Sequence, residues 1–259
     1  MELKSSYKRE KVGKLFFMDE AIINPVKGKN DPDLPERIIF SPTLQIAGIL
    51  LRLNKWKVTR FKRFDITLLA ILKDRKGELA LVGPGVGAPM ACAILEKVIA
   101  CDGKKIVMVS CCGSLGNGLK VGDFFIPVSG ISEEGTSRHY INGNNIPPPD
   151  MTIVEALERE FTERGFKIKK GKIWTTDAPY RETRDKVRKF KEDGVMAVDM
   201  EFTALCSVAA FRKISFASLM VVSDELHEHK WNPGFSGKEF KGSLKTGCRI
   251  VLDAVENII

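Results

Sequence analysis

Two carboxylates and two glycine-rich stretches carry the chemistry this sequence can offer. Glu201 closes the run Val198-Asp199-Met200-Glu201, where an apolar strand pattern gives way to a helical one. An acid at such a junction has two uses. It can satisfy the positive end of the helix, or it can accept hydrogen bonds from vicinal hydroxyls such as those of a ribose. Asp224, in Val221-Val222-Ser223-Asp224-Glu225, follows a second buried strand. There a partly buried acid can give a proton to a leaving group, or it can cap a turn. His227 and His229 have a metal-like spacing, but no third ligand cluster accompanies them, so no metal site is expected.

Gly83-Pro84-Gly85-Val86-Gly87 follows a strand pattern and opens a helical one. Backbone N–H groups of such a turn, with the helix N-terminus, suit an anion; a tight turn that touches no ligand fits the same residues. The stretch is not a dinucleotide fingerprint, since Met90 stands where the third glycine belongs, and it lacks the Gly-Lys-Ser/Thr of a triphosphate loop. A second glycine stretch, Cys112-Gly113-Ser114-Leu115-Gly116, also follows a buried strand. Two such turns at the carboxyl ends of neighbouring strands would face each other across a crevice, where open α/β sheets bind ligands.

The elements that must position these residues alternate. Strand patterns fall at 37–40, 66–72, 79–82, 105–110, 123–131, 166–175, 196–200 and 216–223. Helical periodicity falls at 43–53, 89–101, 152–164, 183–193, 201–212 and 237–258. A turn is expected at 74–77 and a Pro- and Asn-rich loop at 142–150. This order predicts a central sheet covered by helices on both faces. Residues 1–36 read as an irregular N-terminal extension, broken by Asn30-Asp31-Pro32-Asp33 and Pro35, and residues 37–259 as one domain.

Composition narrows the function classes. The chain has 259 residues and a formal net charge of +8, with basic clusters at 55–63, 167–172 and 181–191. They are separated, so a solvated basic surface is expected rather than a nucleic-acid interface. No apolar run approaches the ~20 residues of a membrane span, and Met1-Glu2-Leu3-Lys4 opens no apolar run, so no secretory signal is expected. The six cysteines form no CxxC pair, which gives the expectation of free thiols and a cytoplasmic location.

Taken in order, 83–91, 112–127, Glu134-Gly135-Thr136-Ser137-Arg138-His139-Tyr140, 176–182, 198–204 and 222–226 resemble the nucleoside phosphorylase family. That family includes purine nucleoside phosphorylases, uridine phosphorylases and methylthioadenosine/adenosylhomocysteine nucleosidases. The Glu134–Tyr140 stretch and Thr176-Asp177-Ala178-Pro179-Tyr180-Arg181-Glu182-Thr183 are most similar to uridine-phosphorylase-like members. The resemblance implies a three-layer αβα sandwich with a mixed, twisted central sheet. It also implies cleavage of a nucleoside N-glycosidic bond, by phosphorolysis to free base and (deoxy)ribose 1-phosphate.

Residue by residue, the resemblance makes Glu201 and Asp224 catalytic. Glu201, beside Met200, would hold the ribose 2′- and 3′-hydroxyls, and Asp224 would protonate purine N7. Gly85 and Ser114 would line a phosphate pocket, joined by Arg60 or Arg63 from a neighbouring subunit. Tyr180 and Arg181 would contact the base. No cofactor is implied beyond phosphate as co-substrate, and a homo-oligomer (dimer, trimer or hexamer) is expected. Two phosphate-binding arginines of the family are replaced, by Cys111 and within Ser41-Pro42-Thr43-Leu44. A water-using nucleosidase, or a nucleoside-binding homologue of weakened activity, is therefore the alternative. Uridine-like loops beside a purine-like acid leave the base open.

Overall fold

Successive apolar residues of the central strands go to opposite faces of one sheet. Ile38 and Phe40, Leu69 and Ile71, and Ile106 and Met108 pack into one buried cluster, whereas Ile39, Ala70, Leu72, Val107 and Val109 pack into another. This period of two, with apolar residues in both phases, is what a sheet covered on both faces requires. The computed structural model describes residues 21–53, 56–73, 77–143, 145–227 and 230–259.

The elements run β1 (Arg37–Phe40), α1 (Leu44–Leu53), β2 (Lys57–Phe64), β3 (Thr67–Lys73), β4 (Glu78–Gly83), α2 (Ala88–Ala100), β5 (Lys105–Ser114) and β6 (Phe124–Ser132). There follow α3 (Met151–Glu163), β7 (Ile168–Thr175), α4 (Arg184–Glu192), β8 (Val195–Asp199), α5 (Phe202–Arg212), β9 (Ser215–His227), β10 (Lys230–Pro233) and α6 (Lys238–Ile258). Helices α2 and α5 cover one face of the sheet; α1, α3 and α6 cover the other. The expected three-layer α/β architecture with a mixed sheet is what the chain adopts.

The strand order is β10-β9-β6-β7-β8-β5-β1-β4-β3-β2, and β9 also pairs with β5. Hence β5, β9, β6, β7 and β8 close on themselves, while β1, β4, β3 and β2 extend from the ring as an open sheet. The ring mixes parallel pairs (β5–β9, β6–β7, β7–β8) with antiparallel ones (β6–β9, β5–β8). Closure at the β8–β5 seam brings the β8–α5 junction beside the end of β5.

Most expected elements begin and end within two residues of the observed ones, and four differences bear on the site. Strands β5 and β9 run past their expected ends, to Ser114 and His227. Gly113 and Ser114 are therefore strand residues, not a turn, and Asp224 lies inside β9 rather than after it. Strand β10 has no apolar alternation, since all four of its residues are exposed, and it forms by pairing with β9. Strand β2 was legible only as a basic cluster. It is an edge strand whose exposed Lys57, Arg60 and Arg63 discourage further pairing. The 74–77 turn lies outside the described residues except for Gly77, as does His229.

Residues 21–36 form no helix or strand, yet they are docked. Leu34 is buried and its N–H donates to Cys101 O at 2.8 Å, while Lys97 binds Asp31 at 2.6 Å. Among the described residues no helix is long and apolar enough to cross a membrane. All six cysteines are free thiols.

Candidate active site

A cavity of about 710 Å3 opens where the ring meets the open sheet. Its walls come from the segment after β1, the β4–α2 loop, the ends of β5, β8 and β9, the segment between β7 and α4, and β10. That volume suits a ligand of a few rings. Glu201, Met200 and Asp224 all line it, so the two acids singled out by the sequence share one hollow.

At one end the site is wired through backbone. Asp199, not Glu201, caps α5: its carboxylate accepts from the Phe202 N–H at 2.7 Å, the Glu201 N–H at 3.2 Å and Thr175 Oγ1 at 2.6 Å. That arrangement relieves Glu201 of the capping use. Its side chain is free of capping, and Oε1 accepts from the Gly87 N–H across the cleft at 2.6 Å. Gly87 has a φ of 85°, a conformation that favours glycine, and it precedes the first turn of α2. The expected anion site at that helix start is thus met by the protein's own carboxylate. Glu201 is only 4% exposed. Burial, and then the charge of Asp199, push its carboxyl up to about 8, against the pull of the Gly87 and Met200 amides. Asp199 is raised to about 6, again chiefly by burial.

The glycine stretches serve packing more than binding. A Cβ on Gly83 would sit 2.1 Å from Ser41 O, and one on Gly85 would sit 2.5 Å from Ile94 Cδ1 and 3.0 Å from the Phe40 ring. Gly85 is turned into the core and does not line the cavity. Ser114 is also absent from the lining; its hydroxyl donates to Leu119 O at 2.9 Å and accepts from the Gly116 N–H at 3.0 Å. Gly113 does line the cavity, where a Cβ would lie 2.6 Å from Leu226 Cδ1 and 3.2 Å from Asp224 Oδ2.

At the other end Asp224 is held by side chains. Ser223 Oγ donates to Oδ1 at 2.7 Å and Trp231 Nε1 donates to Oδ2 at 2.8 Å. The β9–β10 pairing, with Asp224 opposite Pro233, brings the indole there. Tyr180 lines the rim and is 98% exposed. Arg181 is exposed and lies off the lining; Glu182 and Arg184 take the places facing the cavity. The short helical turn at Pro179–Arg181 decides which of these neighbours points inward. Its direction has no sequence signature beyond Pro179, so Glu182 escaped notice although it stands in the resembling stretch. Half-buried Glu182 is raised to about 7 by burial, then by the charges of Asp224 and Glu133, against Lys186.

The Glu134–Tyr140 stretch builds the site from outside. The buried Glu134 carboxylate accepts from the Thr136 and Ser137 N–H groups and from the hydroxyls of Ser132 at 2.7 Å and Thr203 at 3.1 Å. Ser207 Oγ donates to Ser137 Oγ at 3.0 Å. These bonds fix α5, and with it Glu201. Cys111 and Cys112 line the cavity where an arginine would bring charge, and burial pushes the Cys111 thiol up to about 12. Among the described lining residues the lysine and arginine are Lys230, on the strand that carries Asp224's partner Trp231, and Arg184, at the start of α4. Arg60 and Arg63 lie on the exposed β2 edge and do not line this chain's cavity. No group of three His, Cys, Asp or Glu among the described residues could hold a metal.

Residues 42–256 match the family model described as the phosphorylase superfamily. A DeoD-type purine nucleoside phosphorylase of Bacillus cytotoxicus is 30% identical over 162 residues, covering 61% of this chain and 69% of that protein. A Toxoplasma gondii purine nucleoside phosphorylase solved with immucillin-H superposes with a TM-score of 0.77 at 18% identity, over 93% of this chain and 98% of that one. A Helicobacter pylori futalosine hydrolase mutant superposes at 0.71 and 15% identity, over 86% and 99%. The two solved structures establish the shared fold; the family model covers most of the chain.

Proposed function

Because the chain belongs to the phosphorylase superfamily, whose members are nucleoside phosphorylases or nucleosidases, we propose that it cleaves the N-glycosidic bond of a purine nucleoside with water as the nucleophile. The observation that carries the reading is that Glu201 and Asp224 both line one cavity of nucleoside size. Glu201, once ionised, accepts hydrogen bonds from the ribose 2′- and 3′-hydroxyls beside Met200. Asp224 stands at the base, where negative charge develops as the bond breaks. A ribose held from one side and a base held from the other place C1′ in the middle of the hollow, open to attack from the Cys111 side.

Water is favoured over phosphate by the charges. The lining holds four carboxyl groups, on Asp199, Glu201, Glu182 and Asp224. No lysine or arginine among the described lining residues comes from the strands and loops around Glu201 and Cys111. A phosphate dianion there would lose its hydration without a guanidinium fork to replace it.

Phosphorolysis is the second reading, favoured by the DeoD-type relatives. It requires a cation from a neighbouring subunit of a homo-oligomer, Arg60 or Arg63 being the candidates. The deciding measurement is free base released from a panel of purine and pyrimidine nucleosides, with and without inorganic phosphate. Equal rates in both arms support hydrolysis. Release that needs phosphate and yields ribose 1-phosphate restores phosphorolysis, and no release from any nucleoside sinks both.

A further inference from the structure

Two carboxyl groups at the base end of the cavity are held differently. Both oxygens of Asp224 already accept, one from Ser223 and one from Trp231. Glu182 lines the same cavity, near enough to feel the charge of Asp224, and its carboxyl has no hydrogen bond or ion pair among the described residues. One acid is fixed; the other is free to approach a ligand.

We propose that Glu182 is the general acid of this site, giving its proton to purine N7 as the C1′–N9 bond breaks, while Asp224 remains an acceptor that fixes the base. The proposal rests on the nucleosidase reading and adds a residue to it. The step balances. The bonding pair of C1′–N9 leaves with the base, the Glu182 proton adds to N7, and water adds to C1′ and releases a proton. Glu182 recovers that proton through the open mouth of the cavity.

The surroundings raise the Glu182 carboxyl toward neutral pH. Asp224 from β9 and Glu133 from the segment after β6 repel a charge there, and partial burial adds to them. Lys186 from α4 opposes them, but its Nζ is engaged by Glu133 Oε1 at 2.6 Å. Arg184, His227 and Lys230 line the same cavity and complete the set of charged and titratable groups. A carboxyl raised to about 7 is near the optimum for proton donation at neutral pH. Two nearby carboxyls in unlike environments are a recurrent way of dividing acid from acceptor.

A nucleoside methylated at N7 carries a fixed positive charge and needs no protonation there, so it isolates the step. Inosine, adenosine and their 7-methyl counterparts are to be compared in wild type, Glu182→Gln and Asp224→Asn. Glu182→Gln should slow the unmodified nucleosides by about 100-fold or more and leave the 7-methyl ones within about 5-fold of wild type. It should also abolish the alkaline fall in kcat/KM. Equal losses on both substrate types, or no loss, would overturn the proposal, as would a selective loss confined to Asp224→Asn. Wild-type enzyme that cleaves only the 7-methyl compounds overturns the proposal and keeps the nucleosidase reading. Wild-type enzyme that cleaves neither ends both.

Discussion

The two ends of the cavity are built from different materials. At the end proposed to hold the sugar Glu201 is buried, and its neighbours are backbone amides and a second buried acid, all set by the β8–β5 seam and the start of α5. At the end proposed to hold the base the groups are side chains on a four-residue edge strand and a short turn, with Trp231 58% and Tyr180 98% exposed. A buried acid wired to backbone can do one task with little freedom. Exposed side chains on short elements can change what they admit without disturbing the core. The sugar end should therefore carry the larger effects of mutation, and the base end the smaller and more substrate-dependent ones.

The largest expected effect is at Glu201. Glu201→Gln keeps an oxygen for the Gly87 amide but loses the charge that holds the ribose. It should cost two to three orders of magnitude in kcat/KM, on the basis of roughly 1.5–3 kcal/mol for each charged hydrogen bond. The same variant should be more stable than wild type in alkali. The folded protein holds a proton on Glu201 that the unfolded chain releases above its ordinary value of 4.5. Wild-type stability should therefore fall as pH rises from about 4.5 to 8, because the native state binds more protons across that window. Asp199 adds a fall of the same sign between about 3.8 and 6. Denaturant midpoints at pH 5.5 and 8.5 test the sign: Glu201→Gln should gain on wild type at the higher pH, by on the order of 2 kcal/mol. A gap unchanged by pH would remove the assigned proton.

Asp199→Asn comes next and separates the two jobs of the seam. Asn retains an oxygen for the α5 amides but removes the negative charge beside Glu201. With that charge gone, Glu201 ionises at lower pH. Wild-type kcat/KM should be highest between about pH 7 and 8, rising as Glu201 loses its proton and falling as Glu182 loses its own. In Asp199→Asn the whole profile should move to lower pH, and because Glu201 titrates above Glu182 the falling limb should move most. Loss of activity with an unmoved profile would mean that Asp199 acts only as a helix cap.

The same contrast explains what the sequence disclosed. The covered sheet was readable because β1, β3 and β5 are apolar on both phases, and Glu201 was readable because it stands where a strand pattern becomes a helical one. That Asp199 caps the helix while Glu201 reaches Gly87 was not readable. The two residues are neighbours in sequence, and only the approach of the β4–α2 loop, 114 positions away, separates their tasks. Ser114 looked like a ligand in a loop because closure of the ring is a long-range event, and it is closure that draws Gly113 and Ser114 into β5. At the base end, strand β10 has no pattern of its own and Glu182 turns inward at a short helical turn, so neither could be placed.

The base end gives the smaller effects. Trp231→Phe keeps the ring and removes the hydrogen bond to Asp224 Oδ2. Loss of a bond of this kind on an exposed edge strand should cost about tenfold in kcat/KM.

Tyr180→Ala should cost least, and in a different parameter. Its ring is almost wholly exposed in the unliganded protein, so removing it leaves the fold and its stability unchanged. Any contribution comes when a base enters and stacks on the ring at the rim. That contact gains on the order of 1 kcal/mol and is made equally in the ground and transition states. KM should therefore rise about threefold to fivefold with kcat unchanged. A fall in kcat instead would place the ring against the reacting nucleoside and make the rim part of the buried machinery, erasing the division between the two ends.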